Sequence, residues 1–220
     1  MAIVGFFVIL FFLACAPRII RYPGPIMGLG REPVAAFRQT VEPQPKKSSH
    51  VVPKKGIHLA KAARSFVGKK KLQVGDKTYG YHCSGYISAV FAKAGLSVQG
   101  STKSLYSQSK KKGVLSTKPQ VGSIVFFDNT YDANKNGSFD DPLSHIAIVE
   151  KIFDDGRVSM LHLGSQGIVP LILNLQQPDQ HKDMDGILHN SFLRVRRSKK
   201  DKRPRLAGQL WRGFAFWEKP

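Results

Sequence analysis

Cys83, His145 and His162 are the residues whose types and order in this chain suit covalent chemistry. A cysteine nucleophile needs a base to take its proton, and the base needs a polar partner to fix its ring. Cys83 lies in Tyr81-His82-Cys83-Ser84-Gly85-Tyr86, where a polar, Gly/Tyr-rich stretch passes into an amphipathic segment. Ile87, Val90, Phe91 and Ala94 fall at i, i+3, i+4 and i+7, and Gly95 is a natural stop, so the segment is predicted to be a helix. The first turn of a helix offers the positive end of the macrodipole and free N–H groups, and both favour thiolate over thiol. The alternative is a small buried hydrophobe, a common use of free cysteine.

The two histidines frame a hairpin. His145-Ile146-Ala147-Ile148-Val149-Glu150 reads as a strand opened by His145, and Val158-Ser159-Met160-Leu161-His162 as a strand closed by His162. Asp154-Asp155-Gly156 supplies the turn between them. Residues directly opposite on paired strands come within about 5 Å, so the two rings are expected side by side at the helix end that carries Cys83. The chemistry this predicts is acyl transfer. Cys83 attacks an amide carbonyl, His145 passes the thiol proton to the leaving amine, and His162 holds the His145 ring. The Cys83 backbone N–H is a candidate oxyanion donor.

The elements that must position these groups are legible in the apolar pattern. Ile57, Ala60, Ala63, Phe66 and Val67 form a helical stripe ending near Gly68, with Lys69 to Lys71 where cations suit a helix C-terminus. Ser97 to Lys112 is polar and helix-compatible, with Ser101 or Thr102 as a cap and Gly113 as its end. After the turn at Pro119-Gln120-Val121-Gly122-Ser123, Ile124-Val125-Phe126-Phe127 reads as a buried strand. Gln176 to Leu193 is irregular, and Leu206 to Trp217 carries the aromatic residues of a closing strand. Helices followed by antiparallel strands predict an α+β domain.

With 220 residues there is room for one domain and its tails. The net charge of +19 is unevenly placed. Residues 16–56 are rich in Pro and basic side chains and read as an extended tether, which leaves 57–220 as the catalytic domain. A second basic cluster spans 194–205, from Arg194 to Arg205. It reads either as a solvated loop or as a surface attracted to anionic envelope polymers and head groups. No nucleic-acid-binding motif is visible in the sequence, so nucleic acid is not expected as a partner.

The chain opens with an apolar run from Ala2 to Ala14, shorter than the roughly 20 residues of a membrane-spanning helix and suited to a secretory signal. It ends Phe12-Leu13-Ala14-Cys15, which resembles the lipobox of bacterial lipoproteins. That resemblance implies a signal over 1–15, lipidation of Cys15 and membrane anchoring in the cell envelope. With Ala16 next, it also implies periplasmic exposure on the outer membrane. Only two cysteines are present, so acylated Cys15 would leave Cys83 without a disulfide partner in an oxidising compartment.

The ordered set His82-Cys83-Ser84-Gly85-Tyr86, Val121-Gly122-Ser123-Ile124-Val125-Phe126-Phe127, Ser144-His145-Ile146-Ala147-Ile148-Val149 and Leu161-His162 resembles the NlpC/P60 family of cysteine peptidases. The resemblance implies a papain-like fold, with the cysteine helix packed on an antiparallel sheet. It also implies a Cys83–His145–His162 triad and a peptide or amide bond of the peptidoglycan stem as substrate. A monomer without an organic cofactor is expected. Tyr81, His82 and Ser84 are the implied substrate-binding positions. His82 stands where the family has Asp, and Ser123 stands where it has a second Asp. A related CHAP-type amidase is therefore the alternative within the same class. A silent, calcium-dependent envelope-binding lipoprotein is the alternative outside it.

Asp132-Ala133-Asn134-Lys135-Asn136-Gly137-Ser138-Phe139-Asp140-Asp141 places oxygen donors at positions 1, 3, 5 and 9 and Gly at 6, like the start of an EF-hand loop. The expected calcium ligands are Asp132, Asn134, Asn136, Ser138 through its carbonyl, Asp140 and Asp141. Asp141 would compensate for Leu143 at position 12. Residues 132–141 stand immediately before Ser144-His145, so an ion there would fix the entry of the histidine strand. An Asx/Gly-rich turn without metal is the simpler alternative.

Overall fold

A computed structural model describes residues 53–195, 198 and 200–217. The apolar opening, Cys15 and the tether up to Val52 lie outside the described residues. Within them, no helix is long and apolar enough to cross a membrane.

The central element is a six-stranded antiparallel sheet. In chain order its strands are β3 (Leu115–Ser116), β4 (Ile124–Phe127), β5 (His145–Ile152), β6 (Val158–Gly164), β7 (Gly167–Leu173) and β8 (Trp211–Ala215). In space they run β3-β8-β4-β5-β6-β7. A separate two-stranded hairpin, β1 (Leu72–Val74) with β2 (Lys77–Tyr79), precedes the cysteine helix. The helices are α1 (Lys54–Arg64), α2 (Cys83–Lys93), α3 (Thr102–Lys111) and the short α4 (Ala207–Leu210). The α+β class is as expected, and so is a cysteine helix packed on an antiparallel sheet.

All four residues of β4 are buried because both faces of the sheet are covered. Ile124 and Phe126 join Ile146, Ile148 and Leu161 in a core shared with Leu59 of α1 and Phe91 of α2. Val125 and Phe127 join Ala147, Val149, Met160 and Phe214 in a second core, closed by Leu210 and Leu175. Period-two alternation thus sorts one continuous apolar run between two layers. α1 sits directly on the turn before β4, where a Cβ at Gly56 would lie 2.2 Å from the Val121 carbonyl oxygen. The Arg64–Glu150 ion pair then ties the end of α1 to β5.

Several expectations change here. α1 begins at Lys54, so the last residues assigned to the tether are helical, and Phe66 and Val67 fall beyond the helix end. β7 was not expected at all, although it pairs with β6 along its whole length. The expected closing strand is β8, which packs into the core and lies between β3 and β4.

The basic segment is not simply a solvated loop. Arg194 is 2% exposed, donates to Asp201 at 2.9 Å and to the carbonyls of Pro204 and Arg203, and lies over the Phe139 ring at 4.5 Å. Arg203 lies over the same ring at 4.7 Å and pairs with Asp201 at 3.0 Å. Two of the cationic side chains therefore fasten the C-terminal segment to the 132–141 loop, and the buried one, Arg194, is not offered to an external anion. Removing one partner of a buried ion pair costs about 3–5 kcal/mol when the other is left unpaired, and because Arg203 still reaches Asp201 the lower end of that range applies here. Arg194→Ala is expected to lower the free energy of urea unfolding by that order. A change within a few tenths of a kcal/mol would contradict the clamp.

Candidate active site

α2 starts abruptly because its first turn is held from outside. His82 is extended (φ −147°, ψ 168°) and its Nδ1 accepts from the Gly85 N–H at 3.1 Å, with the Ser84 Oγ 3.2 Å away. A Cβ at Gly85 would lie 2.0 Å from the Gly80 carbonyl oxygen, so glycine is required where the turn presses on the preceding chain. Cys83 follows the cap as the first helical residue and is half-buried. Of the three positions expected to meet substrate, Ser84 is 6% exposed and withdrawn into the cap network. His82 is the cap itself. Tyr81 stays on the surface, with its hydroxyl donating to the Lys69 carbonyl at 3.0 Å.

The histidines meet at a fork in the sheet. β5 and β6 pair from Ile152↔Val158 to Ile148↔Leu161, and the pairing stops before His145 is reached. Carried forward, that register would set Ala147, not His145, opposite His162, so the rings meet diagonally and not face to face as expected. They nonetheless join, with His145 Nε2 2.9 Å from His162 Nδ1 and the planes nearly perpendicular at 85°. Phe127 flanks the His145 ring at 6.3 Å. In the fork, the Ile146 N–H faces the Cys83 sulfur. This brings the thiol to the first peptide of the histidine strand. With Nε2 taken by His162, Nδ1 is the ring nitrogen left to serve the thiol, although no hydrogen bond joins Cys83 to His145 in this arrangement.

Burial dominates the electrostatics. It pushes the Cys83 thiol above its ordinary value, against the opposing pull of the Thr102 hydroxyl and the backbone N–H groups of Ser84, Cys83 and Ile146. The expected helix-end preference for thiolate is therefore outweighed. Burial, then the neighbouring His162, lowers His145 to about 3, and burial lowers His162 to about 4. The resting site is a neutral thiol beside two neutral imidazoles. Thr102 is a member that sequence reasoning missed. Ser101 caps α3 by accepting from the Ser104 N–H at 3.2 Å, which leaves the buried Thr102 hydroxyl for the sulfur. Tyr131 is a second addition. Burial and the nearby Cys83 and Asp141 raise its phenol.

The segment between Asp128 and Ser144 is closed at its neck. Leu143 N–H donates to Asp128 Oδ1 at 2.8 Å, Asn129 N–H to the Asp141 carbonyl at 2.8 Å, and Thr130 N–H to Ser144 Oγ at 2.9 Å. Leu143, two residues before His145, has φ +55°, a left-handed conformation costly for a bulky side chain. Within the loop, Asp132 accepts from the N–H groups of Asn136 and Gly137, Asn134 Oδ1 from Asn136 N–H, and Asn136 Oδ1 from Ser138 N–H. The Asn136 amide reaches Asp140 at 3.2 Å. Positions 1, 3, 5 and 9 are thus linked by turns and amide contacts within the loop. Asp141 does not join them, since it is 4% exposed and accepts from Ala133 N–H at 2.8 Å. Among the described residues no three or more His, Cys, Asp or Glu gather as metal ligands. An ion would therefore depend on amide and carbonyl oxygens beside Asp132 and Asp140.

A helix-start cysteine beside a strand histidine is a recurrent hydrolase arrangement, and comparison with known families agrees. Residues 73–163 match the CHAP domain. The CHAP match takes in Cys83, Thr102, the whole Asp128–Ser144 loop and both histidines, and it falls on the relative kept above as the same-class alternative. A solved structure from Staphylococcus aureus, described as similar to lipoprotein of the NLP/P60 family, is 20% identical with a TM-score of 0.36. The alignment covers 57% of this chain and 39% of that one, a likeness that by itself fixes neither fold nor activity. No curated protein matches.

The two lowered imidazoles of the CHAP-matching region tie stability to pH. Folded, they bind protons only near pH 3 to 4, whereas unfolded histidine binds them near 6.5. Their contribution is complete above about pH 6.5 and is lost as pH falls toward the folded values. The urea midpoint is expected to drop between about pH 7 and 5, and His162→Gln to shrink that drop. A midpoint that does not move over this range would contradict the buried neutral pair.

Proposed function

We propose that the chain is an exported cysteine hydrolase of the cell envelope, cleaving an amide or peptide bond of peptidoglycan stem peptides. The observation that carries this reading is the 2.9 Å bond between His145 and His162 at the strand fork that receives the helix-start cysteine. Cys83 is the nucleophile, His145 the base and His162 the residue that orients it.

The neutral resting site sets the order of events. As sulfur attacks the carbonyl carbon, the thiol proton moves to His145 Nδ1, and the C–S bond forms as the carbonyl π bond opens to an oxyanion. The Cys83 backbone N–H, at the start of α2, is the proposed donor to that oxygen. Collapse breaks the C–N bond while imidazolium gives its proton to the leaving amine. Water, deprotonated by His145, then hydrolyses the thioester and restores the thiol. His162 keeps Nε2 engaged throughout, so the proton moves through Nδ1 alone.

Lipidated Cys15 and the basic tether would hold the domain at the membrane, within reach of the wall. Calcium is proposed at Asp132, Asn134, Asn136, Asp140 and the Ser138 carbonyl, where it would brace the loop that leads into β5. Digestion of purified sacculi, with released fragments identified by mass spectrometry, tests the activity. The full chain is expected to release peptide fragments with new amine and carboxyl ends, and Cys83→Ala and His145→Ala to lose this by 10³-fold or more. No release by the intact chain would favour a binding module. Repeating the digestion in excess chelator tests the ion. Loss of release that calcium alone restores supports it, and undiminished release removes it from the reaction.

A further inference from the structure

The nucleophile turn is held by an acceptor of an unusual kind. Helix N-caps are usually Ser, Thr, Asp or Asn, whose oxygens accept at every ordinary pH. Here the acceptor is an imidazole nitrogen, His82 Nδ1, which takes the Gly85 N–H at 3.1 Å and lies 3.2 Å from the Ser84 hydroxyl. Because Gly85 can only donate, Nδ1 must carry no proton, which places the ring proton on Nε2. The other edge of the ring is pressed on Gly80, where a Cβ would come within 2.5 Å of Nε2. The groups that hold the ring are the Gly85 N–H, the Ser84 hydroxyl and the Gly80 backbone, none of them charged. No ion pair among the described residues includes His82.

We propose that His82 is a pH-sensitive positioning residue, whose unprotonated ring holds the first turn of the nucleophile helix and releases it on protonation. A protonated ring offers Nδ1–H to Gly85 N–H, donor against donor, so the cap is lost. The turn it releases carries Cys83 and presses on the Gly80 carbonyl, and its loosening moves the sulfur relative to Ile146 and the fork. Imidazole changes charge between pH 5 and 8, whereas a carboxylate cap keeps its acceptor down to about pH 4. An imidazole cap therefore secures the turn only at a higher pH than a carboxylate cap would. The catalytic consequence rests on Cys83 being the working nucleophile, but the cap does not.

Proton–nitrogen correlation spectra of the full chain between pH 5 and 8 test this through the Gly85 amide. In the native protein that resonance is expected to titrate together with the His82 ring. In His82→Asn, which keeps an acceptor that does not titrate, the step is expected to vanish, and in His82→Asp to move below pH 5. Release from sacculi, where present, should lose its acid limb in His82→Asn. A Gly85 amide indifferent to pH in the native protein, or one that titrates equally in His82→Asn, would overturn the proposal. A Gly85 amide that titrates as expected in a protein that releases nothing from sacculi upholds the cap and removes the hydrolase reading instead.

Discussion

Everything at the candidate site depends on the fork where β5 and β6 part company. Were the two strands paired to their ends, the Ile146 N–H would belong to the sheet and the thiol would have no entry. Because pairing stops at Ile148↔Leu161, a helix start can face the open peptide while the two imidazoles bridge the gap beside it at 2.9 Å. The fork is held open by its surroundings. Phe127 packs against the His145 ring, Leu143 enters the strand from a left-handed turn, and Asp128 closes the neck by accepting from Leu143. The Phe139 clamp extends this support outward, since Arg194 and Arg203 anchor the loop from the far end of the chain.

The electrostatic balance follows from relative magnitudes. A helix end offers a nearby charge about 0.3–1 kcal/mol, whereas burial shifts a titratable group by up to 3–5 units, each worth about 1.4 kcal/mol. At Cys83 and at both histidines burial therefore wins, and charge is absent until substrate arrives. A site of this kind separates charge only during the reaction, when the oxyanion and imidazolium appear together. The hydrogen bonds that oppose burial at the sulfur, from Thr102 and the backbone N–H groups of Ser84 and Ile146 among them, are already in place to steady the negative charge that builds on sulfur as its proton leaves.

Much of this was legible in the residues. The Cys83 helix followed from 3.6-residue spacing, and the two histidine strands from short apolar runs with a clear turn between them. Ile124–Phe127 read correctly as buried because four consecutive apolar residues need cover on both sides. What escaped was long-range. β7 carries Pro170 and lacks the clean alternation of a strand, and only its pairing with β6 reveals it. A count of charges said that 194–205 is basic, but not that Arg194 would be nearly inaccessible beneath Phe139. Ligand spacing suggested Asp141 for calcium, yet its backbone and side chain are spent on closing the loop neck. At His82, the family comparison pointed to substrate, while local hydrogen bonding makes it a cap.

The central claim is a half-buried, neutral thiol that reacts with its proton still to be removed. The most direct test is the rate of Cys83 alkylation by iodoacetamide in the full chain, followed peptide by peptide from acid to alkaline pH. The account predicts a rate that climbs continuously past the midpoint of a free cysteine, with no reactive plateau on the acid side. A plateau of fast alkylation below neutral pH, abolished by replacing His145, would reveal a standing thiolate–imidazolium pair and contradict it.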